Sequence, residues 1–541
     1  MRKLFGILLG LAVVLAQAPA AAQSPVITIL HVNDTHSHLE ATGPRTGNLE
    51  GTVGGVAKAA TLIGTVRATE PNVLLLHAGD SFVGDPSFNV GYGGYEFGVI
   101  AGLGFDAMTV GNHEFDLGSD LFTSVVLDPS VGFGVPLLGA NMEIPADHPL
   151  KAVIQPSLMK NVAGVKVGLF GLTVPGDPLS NPAPLSVSDD IGPIAGAAVA
   201  GLRGQGADVV ICLSHLGSAL DEEIAAGVPG IDVIVGGHDH FLFARPVPVT
   251  NPDGKTTLIL QAGESWQHVG KLRFKVENGA FKLVDYRMLD ADASVPPAGE
   301  VEALIAPVKD AVVAQFGDLY GTRLGRAVLP LERTWDPRSA RRDTPLGNLI
   351  ADAFRNVTNS DIAVTVLGLV AERIAEGQVN GLDAFRAVPY GFDPDTGLGL
   401  KLVTCDITGA DLMTALEISV AQIEYSDAFV VQTSGLTFGF LGKNPPMSRV
   451  VPFTVFANRK PLQMAKTYRI TVNEAVYALL PMFGVVLSNP APVPNSHEST
   501  VLAGEIARLH AVRYYSEGRI LDLSMPNTFS KEVLTGEDES R

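Results

Sequence analysis

Six short apolar runs constrain the fold of this chain more than any other feature. They read "VITILHVND", "NVLLLHAGD", "AMTVGNHE", "VKVGLFGLT", "DVVICLSHLG" and "IDVIVGGHDH". Each closes on a polar residue or a glycine cluster, and five of the six endings carry Asp, His or Asn. Apolar runs that do not alternate with polar residues predict strands covered on both faces, as in a layered α/β sheet. In such sheets chemistry collects at the carboxyl ends of the strands. The first half of the chain is therefore expected to be a layered α/β domain with its polar groups gathered along one edge.

At 541 residues the chain is too long for one domain of ordinary size. Hydrophobic residues make up 46% and charged residues 18%, enough apolar material for large cores, which excludes a mainly disordered protein. The texture changes in "ASVPPAGEVEALIAPVKDAVVAQFGDL", where a Pro pair gives way to a helix-like segment. We place a domain boundary near Asp290 to Gly321, with a first domain over 25–290, a linker helix over 291–320, a second domain over 321–523 and a polar, acidic tail over 524–541. The second domain opens with a helical period and then mixes helices and strands.

Residues 1–22 read as an export signal. Arg2 and Lys3 precede an apolar run over 4–15, and Ala20, Ala21 and Ala22 offer a small-residue cleavage site. That run is too short to span a bilayer, and no second long apolar run follows, so an exported chain without a membrane anchor, periplasmic or extracellular, is expected. The two cysteines, Cys212 and Cys405, do not make a disulfide framework. Cys212 lies within an apolar run and reads as a small core residue. A net charge of −19 argues against a nucleic-acid duplex or an anionic membrane as the main partner. A small anionic substrate remains compatible, provided that metals or arginines supply local positive charge.

The strand ends supply such a centre. "HVNDTHSH" places Asp34 and His36 two residues apart, "HAGDSFVGD" supplies Asp80, and "VGNHEFD" supplies Asn112 and His113. "SHLG" adds His215, and "GGHDH" adds His238 and His240. Any one of these alone is an ordinary loop histidine or Gly-Asp turn. Five in order, each on a predicted strand end, point to divalent ions, for which mixed carboxylate, amide and imidazole donors are suited: Zn, Mn, Mg or Fe. A carboxylate shared between two such ions gives a two-metal centre.

On these motifs the chain resembles the calcineurin-like metallophosphoesterases, and within them the bacterial periplasmic 5′-nucleotidase and UDP-sugar hydrolase family. The resemblance covers nearly all of the chain after residue 22, including the linker helix and a second domain that opens "DTPLGNLIADAF". It implies a four-layer β-sandwich flanked by helices, followed by a mixed α/β C-terminal domain that receives the substrate. It also implies two divalent metal ions, one held by Asp34, His36, Asp80 and His240, the other by Asp80, Asn112, His215 and His238, with Asp80 bridging. The family's catalytic histidine matches His113, paired with Asp116. His31, His38, His77 and Asp239 sit among the ligands and read as structural support. The activity implied is hydrolysis of nucleotide phosphomonoesters or related phosphoesters. The alternatives are a cyclic-nucleotide or non-nucleotide substrate, or thiosulfohydrolase-like chemistry.

The second domain departs from the family pattern. Where an Asn-Gly-Gly-Gly-Ile-Arg run is usual, this chain has "VLGLVA", so Val366 stands for the Asn and Ala371 for the Arg. A "GGDGF" loop is replaced by "LLPMF". Tyr390 and Phe483 fall at the family's two base-stacking positions, either as a sandwich for a nucleobase or as core aromatics. Arg341, Arg342 and Arg373 are the candidates for a replacement cation, with surface positions as the alternative.

Overall fold

The computed structural model describes residues 24–177 and 180–525. The expected export signal and the tail from residue 526 onward lie outside the described residues.

All six apolar runs form strands: Ile27–Val32, Val73–His77, Ala107–Thr109, Val165–Thr173, Val209–His215 and Val233–Val235. They divide between two sheets. The first three lie in a seven-stranded sheet, paired in parallel with Leu30 opposite Leu75 and Leu76 opposite Ala107. The last three lie in a six-stranded sheet, again in parallel, with Ile211 opposite both Leu169 and Val233. Parallel pairing brings the carboxyl ends of neighbouring strands to one edge, so the polar endings of distant segments meet there.

Side-chain parity assigns the layers. Ile27, Ile29, Leu74 and Leu76 face Val167, Leu169, Val209, Ile211 and Val233 in a core between the two sheets. The opposite parity, Leu30, Val32, Leu75 and Met108, is covered by Ile63, Phe97, Ile100, Phe122 and Val125 of helices Val56–Thr69, Gly94–Leu103 and Ser119–Leu127. On the far side Phe170, Leu172, Val210 and Ile234 pack under Ala195, Val199, Leu202 and Ile224 of helices Ile191–Gly204 and Ser218–Gly227. The result is a helix, sheet, sheet, helix sandwich. The six strands of the apolar runs are buried on both faces almost throughout, which is why their sequences lack alternation. Cys212 is a fully buried member of the outer core, and both cysteines are free thiols.

Helix Gly299–Phe316 buries Val301, Ile305, Val308 and Val312, one face at helical spacing, against the first domain. Beyond it stands a five-stranded mixed sheet in the order Val431–Ser434, Ile362–Val366, Thr467–Asn473, Lys401–Thr408, Leu487–His497. Helix Pro345–Thr358 starts where the sequence dictates: the Thr344 hydroxyl accepts from the Gly347 N–H, and Pro345 takes the first helical position. Asn359, in a left-handed conformation, ends it.

The second half is locked to the first by buried charge pairs. Arg386, 1% exposed, donates from Nε to Asp85 at 2.7 Å and from Nη2 to the Glu40 carbonyl at 2.9 Å. Arg45 makes a two-pronged contact with Asp383 at 2.8 and 2.6 Å. Glu372 accepts from His38 at 2.9 Å and from the Thr42 hydroxyl. No helix among the described residues is long and apolar enough to cross a membrane.

Candidate metal centre

Two strand-end loops form the floor of the site by running side by side. The N–H groups of Asp34, His36 and Ser37 donate to the carbonyls of Gly79, Asp80 and Ser81 at 3.0, 3.1 and 2.9 Å. Holding this geometry forces unusual backbone. Asp34, His36, Asp80, His238 and His240 all have positive φ, at 49°, 45°, 56°, 83° and 60°. Residues with a Cβ adopt this region at a cost of about 1–3 kcal/mol each, and such strain concentrates at functional sites. Close approach matters as well: a Cβ on Gly111 would stand 2.1 Å from Asp80 Oδ1, so only glycine fits beside that carboxylate.

The side chains converge in two clusters, Asp34 with His36 and His240, and Asp80 with His215 and His238. In the first, His36 Nε2 is 3.0 Å from His240 Nε2, and Asp34 Oδ1 is 4.0 and 3.6 Å from those two nitrogens. In the second, His215 Nε2 is 2.9 Å from Asp80 Oδ2, and the Asn112 amide oxygen lies 3.1 Å from both His215 Nε2 and His238 Nδ1. Asp80 Oδ2 is also 3.9 Å from His36 Nε2, so this one oxygen stands between the clusters. Ligand atoms held about 2.0–2.2 Å from one ion lie some 3–4 Å from each other, which is the spacing observed.

The far side of each ring fixes its tautomer. His36 Nδ1 is 3.2 and 3.1 Å from the carbonyls of Phe82 and Val83, and His215 Nδ1 is 2.7 Å from the Ala78 carbonyl. His240 Nδ1 lies 2.5 Å from Glu264. The carbonyl contacts hold a proton on Nδ1 of His36 and His215 and aim their Nε2 atoms into the clusters, as metal-ligating histidines require. Two lone pairs facing each other across 3.0 Å, His36 and His240, are what a cation between them would resolve. The donor set therefore fits two divalent ions.

The electrostatics agree. Burial raises the Asp34 pKa to about 6. Burial acts against the charged form of His215 too, yet Asp80 overcomes it and lifts His215 to about 10. Burial holds His36 well below the usual imidazole value and His238 at about 4, so both rings offer a lone pair to a cation.

His113 begins a short helical turn beside the second cluster. Its Nδ1 is 2.9 Å from Asp116 Oδ2, and its backbone N–H donates to Asp80 Oδ1 at 3.0 Å. Burial disfavours the imidazolium, but Asp116 and then Asp80 outweigh it, leaving His113 well above the usual imidazole value. His31, His77 and Asp239 make their contacts around the site. Burial holds His31 and His77 neutral, with pKa near 3, and His77 contacts the Thr35 hydroxyl at 3.0 Å. Asp239 accepts from the Ser218 N–H and Gln261 at the start of helix Ser218–Gly227.

Both halves of the chain match known families. Residues 27–242 match the calcineurin-like phosphoesterase family, and residues 327–478 match the 5′-nucleotidase C-terminal domain. A 5′-nucleotidase of Diplobatis ommata is 30% identical, covering 92% of this chain and 89% of the relative. The chain belongs to the 5′-nucleotidase family. It is a 5′-nucleotidase-like metallophosphoesterase, a metal-dependent phosphoester hydrolase with two candidate sites for the two divalent ions that calcineurin-like phosphoesterases use. The crystal structure of a Thermus thermophilus 5′-nucleotidase precursor superposes with a TM-score of 0.78 at 30% identity, over 92% of this chain and 99% of that one. A Thermus thermophilus sulfate thiohydrolase shares the fold at 21% identity, with a TM-score of 0.73 over 93% and 97% of the two chains.

Several residues of this 5′-nucleotidase family member escaped the sequence reading. Glu114, inside the "GNHEFD" motif, ties the loops together by accepting from the N–H groups of Asp80, Ser81 and Gly111 at 3.2, 2.7 and 2.7 Å. Glu264 supports His240. The three arginines considered as replacement cations are engaged elsewhere. Arg341 donates to the Ser516 carbonyl at 2.6 Å, Arg342 pairs with Asp522 at 3.3 Å, and Arg373 pairs with Glu332 at 2.8 Å on the surface. The charge that reaches the centre from the second domain is Arg333. It is half-buried, and its field acts on His240, Glu264 and Tyr390. A bridge from Leu331 to Ile374 lies two residues before it.

Tyr390 and Phe483 take different positions. Tyr390 stacks on His113, whereas Phe483, 48% exposed, meets Phe429 edge-on at 6.4 Å.

Proposed function

We propose that this protein is an exported hydrolase of 5′-nucleotide phosphomonoesters and related phosphoesters. One observation carries the reading: two ligand clusters lie side by side, with Asp80 Oδ2 2.9 Å from His215 Nε2 of its own cluster and 3.9 Å from His36 Nε2 of the other, and the His113–Asp116 pair is beside them. Asp34, His36, Asp80 and His240 would hold one ion, and Asp80, Asn112, His215 and His238 the other. When bound, such a pair supplies an activated water and neutralises phosphoryl charge.

The rest falls to the chain's own groups. Asp116 keeps the proton of His113 on Nδ1 and favours the imidazolium, so that Nε2–H can donate to the oxygen of the departing alcohol. Glu114 and Glu264 keep the ligands in register without touching substrate. Arg333 adds a positive charge on the second-domain side of the centre, where an anionic substrate would be gripped. Export is supported by Arg2 and Lys3, the apolar run over 4–15 and the alanines at 20–22.

A second reading, a phosphoester whose leaving group is apolar, is favoured by one feature. Val366, in the place of the family's Asn, lines a cavity of about 50 Å³ together with Leu416, Phe429, Leu480 and Phe483, and Ser419 is the only polar side chain in its wall. Such a wall does not hydrogen-bond a base edge. A substrate panel decides between them: 5′- and 3′-nucleotides, cyclic nucleotides, UDP-sugar, alkyl phosphates and an aryl phosphate, each with Mn, Zn or Mg. The leading reading expects the highest kcat/KM on a 5′-nucleotide. A rise with alkyl length at low nucleotide turnover selects the second, and no phosphate release from any ester refutes both.

A further inference from the structure

The imidazole of His113 is gripped from both halves of the chain. Asp116 binds its Nδ1 at 2.9 Å, and the His36 ring stands edge-on with centroids 5.3 Å apart. A single hydrogen bond at Nδ1 fixes the direction of one bond but leaves the ring free to tilt about it. The tilt is limited by Tyr390, whose ring lies over the face of His113 with centroids 5.5 Å apart and planes 23° from parallel. Each of the two residues is only 9% exposed.

Tyr390 is itself anchored. Arg386, four residues earlier, is the buried partner of Asp85, and Asp383 is held by Arg45. The Tyr390 carbonyl accepts from the Leu400 N–H at 3.0 Å. The first two of these contacts tie the segment carrying Tyr390 to the loops of the first domain, and the third holds it within its own domain. One face of the phenol is thereby occupied by His113.

We propose that Tyr390 is a positioning residue for His113, setting the plane of the imidazole from the second domain so that Nε2 points at the leaving oxygen. Turnover in the first domain then depends on a side chain of the second. The proposal rests on His113 serving as the proton donor.

The test uses the full-length, metal-loaded protein as wild type, Tyr390→Phe, Tyr390→Leu, His113→Ala and the double variant Tyr390→Leu/His113→Ala. The substrates are ethyl phosphate, p-nitrophenyl phosphate and a 5′-nucleotide, with metal content measured alongside. Misplacing a general acid forfeits part of its roughly 10²–10⁴-fold contribution. Tyr390→Leu should therefore lower kcat on ethyl phosphate about 10- to 100-fold at nearly unchanged KM and full metal content. The loss should shrink on p-nitrophenyl phosphate, whose leaving group needs little protonation. Tyr390→Phe should recover most of the activity, and Tyr390→Leu should have no further effect in the His113→Ala background. Tyr390→Met, which fills the space without a ring, carries the same expectations should the leucine variant fold poorly.

A rise in KM for the nucleotide alone, with ethyl phosphate turnover untouched, overturns the proposal in favour of base stacking. An equal loss in the presence and absence of His113 overturns it in favour of a purely structural role. A wild type inactive on all three esters removes the phosphoesterase reading, and this proposal with it.

Discussion

Replacing Asp80 by Asn tests the two-metal centre where it is least tolerant. Asp80 Oδ1 accepts the His113 N–H at 3.0 Å, while Oδ2 lies 2.9 Å from His215 Nε2 and 3.9 Å from His36 Nε2. The side chain cannot swing aside, because Gly111 closes on it so tightly that no Cβ fits there. An asparagine has two orientations, and both fail. With its amide oxygen toward the His113 N–H, the amide hydrogens point at both ligand clusters. With the amide turned over, two donors oppose each other across 3.0 Å. The substitution also removes one negative charge from between two dications. A pair of unit charges 4 Å apart is worth about 4 kcal/mol at an effective dielectric of 20, roughly a thousandfold in affinity. We expect the chelated and reloaded wild type to retain two equivalents of Mn or Zn after desalting. Asp80→Asn should retain at most one, with kcat/KM on the best ester lower by about three orders of magnitude. Metal content by mass spectrometry and titration calorimetry, with activity at limiting metal, are the measurements. Two tightly held equivalents and full turnover in the variant would refute the shared-ligand geometry.

Three further outcomes are expected. His113→Ala should lower kcat roughly 10²–10⁴-fold with metal content unchanged, and loss of a metal equivalent would show that a ligand had been mistaken for an acid. Arg333→Ala should raise KM for an anionic ester about 5- to 30-fold while leaving metal binding intact, in line with about 1–2 kcal/mol for a charge-assisted contact, and an unchanged KM would place Arg333 outside the substrate site. Glu498 is 1% exposed and its Oε2 has no hydrogen-bond partner, and burial raises its pKa to about 8. The folded state thus keeps a proton that the unfolded chain releases above pH about 4.5, so its contribution is lost as pH rises toward 8. Between pH 5 and 8 Glu498→Gln should recover roughly 2–4 kcal/mol relative to wild type, read as a thermal midpoint that falls less steeply with pH, and parallel pH profiles would contradict this.

What the sequence makes legible follows from the range of the interactions involved. The six strands could be read because burial on both faces leaves an unbroken apolar run in each, such as Ile27–Val32 with its six buried residues. The metal donors could be read because each sits at a strand end within its own short motif. Glu114 stands inside one of those motifs, but its role was hidden, since the N–H groups it gathers belong to residues 80, 81 and 111 and become neighbours only through parallel pairing. Arg386 reads as an ordinary helix arginine, and nothing local announces that it will be buried against Asp85. The Tyr390 contact with His113 and the approach of Arg333 likewise depend on how the two halves meet. Periodicity, spacing and composition are blind to that.

The same reasoning explains why positive φ at the ligands was illegible and why it matters. Asp and His enter the left-handed region more readily than most side chains, but the sequence does not say which of them will, because the conformation is set when neighbouring loops exchange hydrogen bonds. Five ligand residues at about 1–3 kcal/mol each amount to strain comparable with the whole stability of a typical domain. The hydrogen bonds of Glu114, Asn33 and the loop backbones offset it and hold the donors in place. An ion that binds this arrangement and not the unfolded chain stabilises the first domain by mass action. Chelation should therefore cost stability as well as activity, and the loss should be smaller in Asp80→Asn, which has already given up the carboxylate that both clusters share.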